Sequence, residues 1–139
     1  MFGKDKLNIS NEMIKNFLII SCIGKNDSIG LRINNNFFIK KFQTKIHNNE
    51  VIISNIIDFL KEHDAKIDNT FSIIVNLGPG SFSAVRVSIA IAKGIKISKG
   101  VKLYGYKDSV MDQLNLKNIE FLIKENLFEK KMVKPLYIS

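Results

Sequence analysis

The chain has 139 residues, a formal net charge of +8, 45% apolar residues and a mean hydropathy of +0.04. That length suits one domain with a real core rather than two, and the apolar fraction excludes a disordered chain. No apolar run approaches the ~20 residues that a membrane-spanning helix requires. Lys4 and Lys6 are followed by neither an apolar stretch nor a small-residue cleavage site, so no secretory signal is expected. A single cysteine, Cys22, forms no internal disulfide and fits a reducing cytoplasm. It has no catalytic companion in the sequence and reads as a small buried side chain. The basic balance would attract polyanions at low salt. The lysines are nevertheless spread along the chain, and heavy use of Lys, Asn and Ile is what A+T-rich coding favours. Composition is therefore the better account of the charge than a dedicated RNA-binding patch.

Residues 1–12 are polar and unpatterned, and the ordered domain is expected to begin at Met13. Three strands follow. Phe17–Cys22 reads as a buried strand, Ser28–Ile33 alternates, and Phe37–Phe42 returns after the turn-forming Asn34-Asn35-Asn36. So short a polar link implies a hairpin and hence an antiparallel meander. A helix is expected from His47-Asn48-Asn49-Glu50. In it Ile52, Ile53, Ile56, Ile57 and Leu60 form one apolar stripe that fades near Lys61–Ala65. Phe71–Leu77 is a nearly continuous apolar run, as in a strand covered on both faces. Ser81–Lys99 is a second helix, ended by Gly100. Val101–Tyr106 is another strand, Lys107–Leu114 a short helical piece, and Pro135–Ile138 a last short strand in an otherwise unassigned tail. The order β-β-β-α-β-α-β predicts an α/β fold, a mixed sheet with packed helices.

Gly78-Pro79-Gly80-Ser81 stands at a strand-to-helix junction. Two glycines around a proline make a tight turn, and Ser81 or Ser83 can cap the helix that follows. Backbone N–H groups there could hold an anion. No Lys-Ser or Lys-Thr follows, so this is not a nucleotide-binding P-loop, and on the loop alone a structural turn is the better reading. The second helix says more. Ala84, Val87, Ser88, Ile91 and Ile95 share one side, with Ala84, Ser88 and Ala92 as a small-residue ridge. Phe82, Ile89, Ala90 and Ile97 lie opposite, beside Arg86 and Lys93. A helix with two apolar sides in so short a chain points to a shared surface. With Ile53 and Ile56 of the first helix, these residues (Phe82, Arg86, Ile89, Ala90, Lys93 and Ile97) are the expected partner interface.

The segment GPGSFSAVRVSIAIAKGI, Gly78–Ile95, resembles the GPGSFTGLR…(G/A)xAKG signature of the TsaB family. VKLYGYKDSVMDQ is similar to that family's (I/V)P(L/V)xGVSSL stretch. His47 with Ile52–Leu60 resembles its HS-x-x-LLP-x-I helix, and PLYIS its P-(V/L)-Y-(L/I)-R end. The likeness spans Ile14–Gln113 and the last few residues. It implies a single lobe of the actin/hexokinase/Hsp70 type, the ribonuclease H-like arrangement. The expected layout is a polar extension over 1–12, the lobe over 13–114, and a short remnant of a second lobe over 115–139.

The resemblance also implies a role. The family supplies a non-catalytic platform for TsaD, which transfers threonylcarbamoyl to adenosine 37 of transfer RNA. TsaC makes the activated intermediate and TsaE is an ATPase of the same assembly. Expected partners are thus a TsaD-like subunit, a TsaE-like ATPase, or a second copy of the chain, with tRNA met through the complex. No cofactor of its own is expected, ATP and ADP entering only through partner subunits. The alternatives are a basic tRNA-binding module and a degenerate copy that only homodimerises. An enzyme relic, kinase or peptidase, is disfavoured. The family's Ile-Asp-Thr-Ser-type strand end is here Ile20-Ser21-Cys22-Ile23, without the carboxylate. His47 and His63, at the two ends of one helical segment, read as surface residues, and neither a metal site nor a catalytic set is assigned.

Overall fold

The computed structural model describes residues 14–43 and 50–129. The unbroken apolar run Phe17–Ser21 forms β1, and its residues 17–20 are buried. Ser28–Ile33 (β2) and Asn36–Lys41 (β3) follow as an antiparallel meander, with Leu18 opposite Leu31 and Leu31 opposite Phe38. The β2–β3 turn works because Asn34 and Asn35 take φ of 52° and 68°. Asn tolerates that left-handed conformation, and the twist of such turns matches that of the strands. Ser72–Asn76 (β4) runs parallel to β1 with Ile74 beside Ile19, and Lys102–Tyr106 (β5) runs parallel to β4 with Tyr104 beside Ile74. The sheet order is β3-β2-β1-β4-β5.

Alternation along the central strands builds two cores. One parity, Leu18, Ile20, Ile73 and Val75, packs with Ile52, Ile56 and Phe59 of α1 (Glu50–Glu62) and with Ala84, Val85, Ser88, Ile89 and Ala92 of α2 (Phe82–Lys99). The other parity, Phe17, Ile19, Ile74 and Tyr106, packs with Ile119, Leu122 and Ile123 of α3 (Leu116–Lys124). Period-two strands thus hold helices on both faces of one sheet. Each buried Ile, Leu or Phe contributes about 1.5–3 kcal/mol of apolar burial. Gly100 ends α2 at φ 71° and returns its N–H to the Lys96 carbonyl at 2.9 Å.

The expected α/β lobe with a mixed sheet is what the chain forms. Two local expectations change. Only Asp108–Val110 is helical within Lys107–Leu114, as a single 3-10 turn. The helix lies further on, at α3, opened by Asn115, whose side-chain oxygen accepts the Asn118 N–H at 2.8 Å. Ile119, Leu122, Ile123 and Phe128 pack on the sheet in the second core. Leu127 and Phe128 close the second core, and the Glu129 N–H reaches the Gly105 carbonyl at 2.8 Å. The expected Pro135–Ile138 strand, the 1–12 extension, His47 and the PLYIS end lie outside the described residues.

Candidate functional site

Strands β1, β4 and β5 are parallel, so their C-terminal ends share one edge of the sheet. Asn76, the last residue of β4, is buried there. Its amide nitrogen donates to Ser21 Oγ at 3.1 Å and to Asp108 Oδ1 at 3.0 Å, and its Oδ1 accepts the Gly78 N–H at 2.9 Å. The Leu77 N–H donates to the Tyr106 carbonyl and the Asp108 N–H to the Gly78 carbonyl, at 2.8 and 2.9 Å. The Tyr106 hydroxyl, fully buried, interacts with Ser21 and Asn76, and burial pushes it far up from its ordinary value. One amide side chain therefore holds three strand ends and the start of the Gly78–Ser81 loop in register.

The far side of that loop is fixed by the β1–β2 turn. Asp27 Oδ1 accepts the Ile23 and Gly24 N–H groups, each at 3.0 Å. The Ile23 carbonyl accepts the Ser81 N–H at 2.7 Å, and the Ser88 hydroxyl donates to the Cys22 carbonyl at 3.2 Å. A Cβ on Gly80 would come within 2.6 Å of the Ile23 carbonyl oxygen, and one on Gly24 (φ 99°) within 2.6 Å of Ser81 Cβ. Both glycines are thus required by close approach rather than by ligand access. Ser81 stands at the head of α2 but makes no side-chain capping bond, contrary to expectation. Gly78 is buried and its peptide bond to Pro79 is cis, while Pro79 and Ser81 are exposed. The arrangement is that of a structural brace.

Cys22 is fully buried, and burial, reinforced by the Asp27 carboxylate, pushes its thiol far up from its ordinary value. It is protonated and sheltered, and we expect no reaction with a soluble thiol reagent until the chain is unfolded in urea. His63 is not a surface histidine. It stacks on Phe38 with ring centroids 3.9 Å apart and meets Phe59 edge-on at 5.0 Å, which leaves 18% of its side chain exposed. Among the described residues no group of three or more His, Cys, Asp or Glu side chains could hold a metal ion.

The remaining feature is the outer face of α1 and α2. Ile97 is 86% exposed, Phe82 56%, Ile57 46% and Ile53 43%. Arg86 and Ala90 are exposed and Lys93 half-buried on the same side of α2. The Arg86 guanidinium lies 5.0 Å over the Phe82 ring. Two expected interface residues are corrected. Ile56 and Ile89 are buried, at 2% and 4% exposure, and belong to the core. The inner face of α2 is centred on Ala84, Val85, Ser88 and Ala92, a rotation of about 60° from the face expected from the sequence, which carries Ile89 inward. On α1, Ile52, Ile56 and Phe59 point to the sheet and leave Ile53 and Ile57 outside. Sequence reasoning passed over Asn76, Ser21, Asp108 and Tyr106. The available signal was Asn76 itself, one amide closing an apolar strand.

Residues 43–109, which run through α1, β4, the loop, α2 and β5, match the family model of TsaD, tRNA N6-adenosine threonylcarbamoyltransferase. The fold superposes on YeaZ from Pseudomonas aeruginosa with a TM-score of 0.63 at 16% identity, over 70% of this chain and 46% of that one. The likeness is one of fold, an α/β lobe with helices on a mixed sheet. A second structure, described as an uncharacterized protein from Pseudomonas aeruginosa with similarity to peptidase YEAZ, gives the same TM-score and identity. It covers 70% of this chain and 45% of that one. The chain thus spans under half the length of the YeaZ structures that it matches. No curated protein matches it.

Proposed function

We propose that this TsaB-like lobe is a non-catalytic scaffold in the machinery that installs threonylcarbamoyl on adenosine 37 of transfer RNA. It binds and supports a TsaD-type catalytic subunit through the outer face of α1 and α2. The observation that carries the reading is the set of apolar side chains left outside the core on those two helices, Ile53, Ile57, Phe82 and Ile97. The braced Gly78–Ser81 loop supports it, because it fixes the start of α2 and so the direction in which that face points. In this reading the chain holds no cofactor of its own and meets ATP and tRNA only through its partners, a TsaE-type ATPase included. It works in the cytoplasm; no helix of the described residues is long and apolar enough to cross a membrane.

The test is co-purification with the TsaD-type subunit of the same organism. Ala90 is exposed mid-helix, so Ala90→Arg inserts bulk and charge at the centre of the face without touching the core. We expect it to lose the complex while keeping its helical circular dichroism. Phe121→Asp, on the exposed side of α3, is the control and retains the complex. Equal recovery of the Ala90→Arg and wild-type complexes would refute the scaffold reading.

A further inference from the structure

We infer that the outer edge of β5 is closed by this chain's own residues 130–134, which pair with it as a sixth, antiparallel strand. This closure is independent of the scaffold role. Strand β5 is the last in the sheet order, so among the described residues no strand lies on its outer side. Alternate residues of a paired strand turn their N–H and C=O groups to the same neighbour. The Lys102 N–H donates to the Phe71 carbonyl at 3.2 Å and the Tyr106 carbonyl accepts the Leu77 N–H at 2.8 Å, so Lys102, Tyr104 and Tyr106 face β4. Leu103 and Gly105 face outward. Such a row of groups is a template for another strand, and Gly105 is buried, where an unpaired N–H is costly.

The chain has already begun this pairing. After α3, Leu127 and Phe128 return to the sheet, with the Phe128 ring stacked on Tyr104 at 4.9 Å between centroids. The Glu129 N–H then donates to the Gly105 carbonyl, near the C-terminal end of β5. Continued parallel to β5, the chain would run off that strand at Tyr106. Continued antiparallel, it has Leu103 and Val101 ahead of it. That direction sets Glu129 opposite Gly105, Lys131 opposite Leu103, Met132 opposite Lys102 and Val133 opposite Val101. Both outward groups of Leu103 and the Gly105 N–H then have partners.

The residue types suit that register. Val133 falls beside Val101, which is 3% exposed and belongs to the core under α2, so an apolar side chain meets an apolar one. Pro135 has no N–H to donate, and it falls past Val101, where β5 offers nothing further to pair. Lys130, Lys131 and Lys134 then line the new outer strand, and lysine is a residue by which sheet edges resist pairing with other chains. The segment is tethered at Glu129, so its effective concentration at the edge exceeds that of a strand from another molecule.

Disulfide trapping in the full chain tests the register. Residues 102 and 132 form a non-hydrogen-bonded pair in it, with Cα atoms about 4.5 Å apart, inside the span of about 4.4–6.8 Å that a disulfide bridges. Lys102→Cys/Met132→Cys should close an intramolecular bond under mild oxidation. Lys102→Cys/Lys131→Cys, with side chains on opposite faces, should not, and the buried Cys22 does not compete. Proline substitution gives a second measurement. Lys131→Pro removes the donor to the Leu103 carbonyl and should speed exchange of the Leu103 amide about tenfold or more, whereas Lys130→Pro, at a position whose N–H points outward, should not. A disulfide that links two chains, equal trapping of both cysteine pairs, or trapping of neither would overturn the inference. So would Leu103 exchange that is alike in the two proline variants. If Lys131→Pro fails to fold by circular dichroism, the trapping result alone decides.

Discussion

Ile89→Asp is expected to abolish cooperative folding, whereas Ile97→Asp, eight residues along the same helix, is expected to leave the urea midpoint of the isolated chain unchanged. The two isoleucines differ in their surroundings and not in their chemistry. Ile89 is packed into the core under α2 at 4% exposure, and Ile97 is 86% exposed. A carboxylate at Ile89 would be buried without a partner, at a cost of about 3–5 kcal/mol or more against a total stability of about 5–15 kcal/mol. A surface change of the same kind stays within about 0.5 kcal/mol. Circular dichroism across a urea titration reads both. A folded Ile89→Asp chain with a midpoint near the wild type would show that α2 is turned otherwise on the sheet. An unfolded Ile97→Asp chain would say the same.

The second large effect is at Asn76. Asn76→Ala removes two donated hydrogen bonds and one accepted one, and leaves the Gly78 N–H and Ser21 Oγ beside an emptied site. Each buried group left unsatisfied costs about 1–3 kcal/mol, so the loss should total about 2–4 kcal/mol. Asn76→Asp keeps an acceptor for the Gly78 N–H but sets a carboxylate against Asp108 Oδ1, and is expected to be at least as harmful at neutral pH. Urea unfolding of both variants decides. Stabilities equal to that of the wild type would mean that the loop is held by backbone contacts alone.

Much of the fold was legible because strands and helices write different periods. The β1–β2–β3 meander follows from three short apolar runs and an Asn-Asn turn, and β4 from a run of apolar residues with no polar alternation. Gly100 marked the end of α2 because a helix ending in a left-handed residue favours glycine. The phase of α2 was harder to read. A helix rich in Ala, Ser, Val and Ile on several sides gives no sharp moment, and only the sheet beneath decides that Ile89 turns inward and Val87 to the flank. α1 posed the same problem, since five apolar residues in one broad stripe do not say that Ile56 is covered and Ile53 is not. α3 was missed because its own pattern, Ile119, Leu122 and Ile123, is short and Phe121 interrupts it on the exposed side. The polar brace was invisible for another reason. Ser21, Asn76 and Asp108 are brought together only by the parallel pairing of β1, β4 and β5, and no spacing along the chain encodes that.

The central claim is that the outer face of α1 and α2 is the docking surface for a TsaD-type subunit. Amide hydrogen exchange of the chain, alone and mixed with that subunit, tests it most directly. The account predicts slower exchange over Glu50–Glu62 and Phe82–Lys99 in the mixture, with Leu116–Lys124 on the opposite face of the sheet unchanged. Slower exchange confined to Leu116–Lys124 or to the Asn36–Lys41 edge strand, or none anywhere, would contradict it.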